Sequence, residues 1–180
     1  MEHLSGFISI MGSPNVGKST LMNALVGEKV AIVTQKAQTT RNKVVGILTK
    51  PDYQIIFLDT PGLHTPHNKL GEYMVKTAYD ANKDVDLTIM VIDGVVGILQ
   101  RDEEILQKLN GDRFLVLINK NDAVKPEKVK QLIEKVHALG VAKDAVCTAS
   151  AKQGWGLEEL ERKIVSYLQP GPQYYPEDMV

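Results

Sequence analysis

A single cysteine, Cys147, leaves the chain nothing to pair with internally, so no disulfide framework and no oxidising compartment is indicated. An excess of charge of one sign is missing too. Lys and Arg number 21 against 22 Asp and Glu, a formal net charge of -1, which lacks the basic footprint of a free-standing nucleic-acid binder. No DNA partner is expected. Apolar runs such as 87–92 are far too short to span a bilayer. Residues 1–7 lack a basic start followed by an apolar stretch, so no secretory signal is read and a cytoplasmic location is expected. Internal repeats and low-complexity tracts are also lacking. What remains is an ordinary globular composition, 43% hydrophobic and 24% charged over 180 residues. A domain of that length buries about 70% of its unfolded surface.

Short apolar runs at 7–11, 55–58, 87–92, 114–118 and 145–148 each lead into polar or glycine-containing turn chemistry and then an amphipathic stretch. That alternation predicts an α/β fold, a mostly parallel six-stranded sheet with helices on both faces. Val129, Leu132, Ile133, Val136 and Leu139 recur at helical spacing, as do Leu157, Leu160, Ile164 and Leu168. Residues 44–49 read as an extra strand, joined to 54–58 by Lys50-Pro51-Asp52-Tyr53. So short a link forbids a parallel crossover, and this edge pair must be antiparallel. The domain is expected to span 1–168. Gln169-Pro170-Gly171-Pro172, and then Tyr174-Tyr175-Pro176-Glu177-Asp178, have the composition of a linker.

Gly12-Ser13-Pro14-Asn15-Val16-Gly17-Lys18-Ser19 fits the P-loop pattern, between a strand and a helix as that pattern requires. The glycines let successive N–H groups turn inward on phosphate oxygens, and the helix adds its positive end. Lys18 is expected on the β- and γ-phosphates, Ser19 on Mg²⁺, and Thr20 behind them at the nucleotide. Asp59-Thr60-Pro61-Gly62, with Leu63 following, ends the 54–58 strand. Alone it is an ordinary turn. Beside a P-loop, Asp59 can hold Mg²⁺ through water, and the Gly62 N–H can meet the γ-phosphate and swing away after hydrolysis. Gln38-Thr39-Thr40-Arg41 lies between the two boxes, and a threonine there, Thr40 in preference to Thr39, would complete the Mg²⁺ shell.

Asn119-Lys120-Asn121-Asp122 follows the 114–118 strand. A carboxylate at Asp122 accepts from guanine N1–H and the 2-amino group, donors that adenine lacks there. Asn119 would brace the loop, and the stem of Lys120 would cover the base. Ser150-Ala151-Lys152 follows the last strand and offers the Ala151 N–H to guanine O6. Four elements in this order select GTP over ATP.

The set, with Lys36-Ala37-Gln38-Thr39-Thr40-Arg41, Asp59-Thr60-Pro61-Gly62-Leu63-His64 and Pro176-Glu177-Asp178-Met179, resembles the TrmE–Era group of GTPases and its Era branch over essentially the whole chain. Asn121, where an aliphatic residue is usual, and Thr34, where serine is common, are mild departures. The resemblance implies a GTP/GDP switch in maturation of the small ribosomal subunit. A KH domain expected to follow this chain would contact ribosomal RNA. Peripheral contact with the inner membrane and a monomeric state are further expectations. A related GTPase acting in tRNA modification or another assembly step, or a nucleotide-sensing interaction module, are the alternatives.

Hydrolysis needs an oriented water, and Leu63 stands where Ras-like enzymes use glutamine, so intrinsic turnover should be slow. The resemblance supplies a substitute, in which the P-loop asparagine, here Asn15, helps bind K⁺ in place of an arginine finger. Lys18, Thr40, Gly62 and Asn15 are the residues expected to act in the reaction. His64 as general base and Arg41 as a finger in cis are set aside. Cys147 reads as a buried strand residue and Trp155 as a packing anchor. Lys125, Lys128, Lys130 and Lys135, mixed with Glu127 and Glu134, read as a solvated helix face.

Overall fold

A computed structural model of the chain describes residues 2–13, 16–27, 43–59, 85–109 and 113–176, apart from the side chains of Lys43, Asp59 and Leu109. The described strands are β1 (Leu4–Met11), β2 (Lys43–Thr49), β3 (Tyr53–Asp59), β4 (Leu87–Asp93), β5 (Phe114–Asn119), β6 (Val146–Thr148) and the two-residue β7 (Gln169–Pro170). The described helices are α1 (Lys18–Val26), α2 (Gln100–Leu109), α3 (Pro126–Ala138) and α4 (Leu157–Val165).

The sheet runs in the order β2-β3-β1-β4-β5-β6. Every pair from β3 to β6 is parallel, and β2 lies antiparallel on β3 at the edge, as the short link demanded. The turn is closed by the Lys50 N–H donating to the Tyr53 carbonyl at 2.8 Å. Every residue of β4 and of β5 is buried, which explains their uninterrupted apolar runs: both faces of a central parallel strand are covered. On α3, Val129, Leu132 and Val136 turn inward, with Pro126 in the first turn where its missing N–H costs nothing. On α4, Leu160 and Ile164 are fully buried.

A seventh strand corrects the expected six. Gln169 and Pro170 pair antiparallel with Ser5 and Leu4, on the β4 side of β1 but before β4 begins. The first residues of the stretch expected as linker therefore lie against the sheet, while 177–180 fall outside the described residues. Gly171 donates to the His3 carbonyl at 2.9 Å. The side-chain amide of the buried Gln54 grips Tyr175 at two points, donating to its carbonyl at 3.0 Å and accepting its N–H at 3.2 Å. Among the described residues, no helix is long and apolar enough to cross a membrane.

Candidate guanine-nucleotide site

The carboxyl ends of the parallel strands carry the candidate residues, the edge at which open α/β sheets bind ligands. Registers fix their spacing. Asp59, the last residue of β3, pairs with Ile10 near the end of β1, and Asn119 of β5 pairs with Asp93 of β4. Between β1 and α1, Gly12 is packed so closely that a Cβ would meet the Val91 carbonyl at 2.8 Å. Gly17 has a φ of +98°, and its added Cβ would fall 2.3 Å from Asn119 Nδ2. Both glycines are needed for close approach, in addition to freeing N–H groups for an anion. Lys18 opens α1 directly, followed by exposed Ser19 and Thr20. Ser13 and Val16 are buried beside them.

The expected base loop comes together fully. Asn119, only 2% exposed, spans two segments: its Nδ2 donates to the Val16 carbonyl at 2.9 Å, and its Oδ1 accepts the Ala151 N–H at 3.0 Å. One side chain thus joins the phosphate loop, the end of β5 and the loop after β6. Lys120 takes a left-handed φ of 68°, unusual for a side-chain-bearing residue, before one 3₁₀ turn over Asn121–Ala123. Fully buried Ser150 donates its hydroxyl to Asp122 Oδ1 at 2.7 Å and accepts the Gln153 N–H at 3.1 Å. Gly17, Thr20, Asn119, Lys120, Asp122, Ala123 and Ser150 to Lys152 line a cavity of about 340 Å³.

Some expectations change. Trp155 is 53% exposed, so it is no packing anchor, and its backbone instead closes the loop by exchanging hydrogen bonds with Ser150. Cys147 is half-buried in β6, where burial pushes its thiol pKa up. Lys125, Lys130 and Lys135 are exposed as read, and Lys128 on the same face makes an exposed hydrogen bond to the Val95 carbonyl. Pro14, Asn15, Thr39, Thr40, Thr60, Pro61, Gly62 and Leu63 lie outside the described residues, as do Arg41, His64 and the side chain of Asp59.

Asp93 was not singled out by the sequence. It is 8% exposed, and its Oδ2 meets the Lys120 ammonium at 2.8 Å. Burial raises its carboxyl pKa, but Lys120 and the N–H groups of Val95 and Val96 outweigh that and hold it below the usual value of 3.8. An Asp-Gly pair at a strand end reads as a plain turn; the available signal was an acidic residue closing a wholly apolar run.

The family model described as 50S ribosome-binding GTPase matches residues 7–120, from β1 through the phosphate loop to the base loop. The chain belongs to the 50S ribosome-binding GTPase family. Its fold is the P-loop GTPase G domain. Within this family of GTPases it is similar to GTPase Era of Thermotoga maritima, 46% identical over 182 residues that take in the whole chain. A crystal structure of Era in complex with MgGDPNP and nucleotides 1506–1542 of 16S ribosomal RNA superposes with a TM-score of 0.78 at 40% identity, over 98% of this chain. An Aquifex aeolicus Era variant bound to GDP·AlF4⁻ gives a TM-score of 0.76 at 39% identity, over 99% of the chain. The chain spans 61% of the length of each of these relatives.

Proposed function

We propose that this chain binds and hydrolyses GTP as a molecular switch in maturation of the small ribosomal subunit. The observation that carries the reading is the Asp122 carboxylate at the cavity, oriented by the Ser150 hydroxyl at 2.7 Å. A carboxylate so held accepts from guanine N1–H and the 2-amino group together. Adenine leaves it unpaired, a mismatch that costs on the order of 10⁴-fold in selectivity. The Lys120 stem covers one face of the ring, while the Ala151 N–H, expected on guanine O6, is instead given to Asn119 Oδ1 at 3.0 Å.

Gly12, Ser13, Pro14, Asn15, Val16, Gly17, Lys18 and Thr20 are assigned to the phosphates, with Lys18 on the β- and γ-groups. Ser19, Thr40 and Asp59 offer only oxygen donors, which fits a hard divalent cation. Held by Ser19, Thr40 and Asp59, Mg²⁺ would supply positive charge to offset that of the phosphates. Thr40, and Gly62 in the segment from Asp59 to Leu63, are assigned to sensing the γ-phosphate. Asn15 is assigned to a K⁺ site standing in for an arginine finger.

The ribosomal partner rests on the Era relatives. The Era complex with 16S nucleotides supports a small-subunit target. The family description, 50S ribosome-binding, favours a second reading in which the large subunit is the target. Sedimentation of the protein, charged with a non-hydrolysable GTP analogue, on each isolated subunit separates the two. A cytoplasmic chain with peripheral membrane contact belongs to the same proposal and is read by cell fractionation.

Asp122→Asn tests the central assignment. GTP binding is expected to weaken and xanthosine triphosphate binding to strengthen, since xanthine presents an acceptor in place of the 2-amino donor. An unchanged GTP titration would remove Asp122 from the base site.

A further inference from the structure

We propose that Asp93 is a positioning residue for the base pocket, anchoring Lys120 by its ammonium so that the lysine stem stays in place as a wall of the cavity. The inference rests on the guanine-site reading and adds a residue to it. Asp93 and Asn119 are register partners at the ends of β4 and β5, so the loops that leave them start side by side. The Gly94 N–H donates to the Asn119 carbonyl at 2.9 Å and ties those loops at their base.

The two oxygens of Asp93 divide the work. Oδ1 accepts the N–H groups of Val95 at 2.8 Å and Val96 at 3.2 Å, folding the β4 loop over itself. Oδ2 accepts from the Lys120 ammonium at 2.8 Å, across 27 residues of chain. Lys120 needs such a hold. It is the one side-chain-bearing residue with positive φ among the described residues, a conformation that persists where the surroundings enforce it. An ammonium drawn back onto β4 stretches the four-carbon stem along the pocket, leaving apolar methylenes toward the base.

The division of labour makes the test clean. Asp93→Asn keeps a carbonyl oxygen for Val95 and Val96 and removes the anionic acceptor for Lys120. A fluorescent GDP analogue is expected to bind Asp93→Asn on the order of tenfold more weakly, equivalent to about 1.4 kcal/mol. The nucleotide-free protein should stay folded, its thermal midpoint falling only by the loss of that one ion pair. Lys120→Met keeps the apolar stem without its anchor and should lose a similar factor. The double variant should lose no more than either single one, because the two changes break one contact. Wild-type affinity in Asp93→Asn, wild-type affinity in Lys120→Met, or additive losses in the double variant would each overturn the proposal. Should Asp93→Asn melt early, Lys120→Met reads the same contact from the other side. Asp122→Asn run in parallel separates the two levels: if it switches to xanthine while the Asp93 variant binds normally, the guanine site stands and the anchor alone fails.

Discussion

At Ser150 one buried hydroxyl serves two partners, giving its proton to Asp122 and accepting the Gln153 N–H. Ser150→Ala leaves both unmatched. The expected loss is about 1–3 kcal/mol in a urea unfolding titration. Faster release of bound GDP in a chase experiment should accompany it, since Asp122 loses its orienting donor. Tyr53 offers a second residue-level reading. Burial first, then its hydrogen bond to Glu161 and that carboxylate's charge, raise its pKa from 10.0 to about 12. A folded-state value above the unfolded one adds stability that is fully present below pH 10 and fades as pH climbs from 10 through 12. In an alkaline titration of phenolate absorbance Tyr53 should ionise at the high end, and Glu161→Gln should lower its midpoint.

Elements were legible where burial writes a simple pattern. β4 and β5, covered on both faces, became unbroken apolar runs, and α3 and α4 showed their inward residues at helical spacing. The Pro51 turn dictated antiparallel β2 and β3 by its length alone. β7 was invisible because two residues, one a proline, carry no periodicity; its pairing depends on β1 lying alongside. The base loop was readable from its residue types and order, since the pocket is built from contiguous tripeptides and tetrapeptides. Asp93 was not, because its meaning lies in a lysine 27 positions away. Trp155 misled for a related reason: bulk suggests burial, but backbone bonds to Ser150 had already closed that loop. The packing role of α4 has a direct check. Ile164→Ala, at a fully buried site, should cost about 2–5 kcal/mol in unfolding free energy, measured by urea titration.

Across the molecule, the proposed switch gathers at one edge of the sheet what the chain spreads from Gly12 to Lys152. In the proposed switch the nucleotide is the common partner of these loops, so its γ-phosphate can order or release them together. With Leu63 in place of a water-orienting glutamine, turnover should depend on the cation beside Asn15. Phosphate release is expected to be faster in K⁺ than in Na⁺, and Asn15→Ala should abolish the difference. Equal rates for the unaltered chain in the two salts would remove the K⁺ assignment.

The bridging of Val16 and Ala151 by Asn119 also sets a timetable for synthesis. A nascent chain emerges N-terminal end first. Its phosphate loop leaves the ribosome early, yet the amide of Asn119 has its second partner only after residue 151 has emerged. The Ser150 loop shuts only with Trp155. On the guanine-site reading, base recognition is therefore among the last features of the domain to mature. A chain that ends before Ser150 lacks, on that same reading, the hydroxyl that holds Asp122 and should discriminate poorly between nucleotide bases.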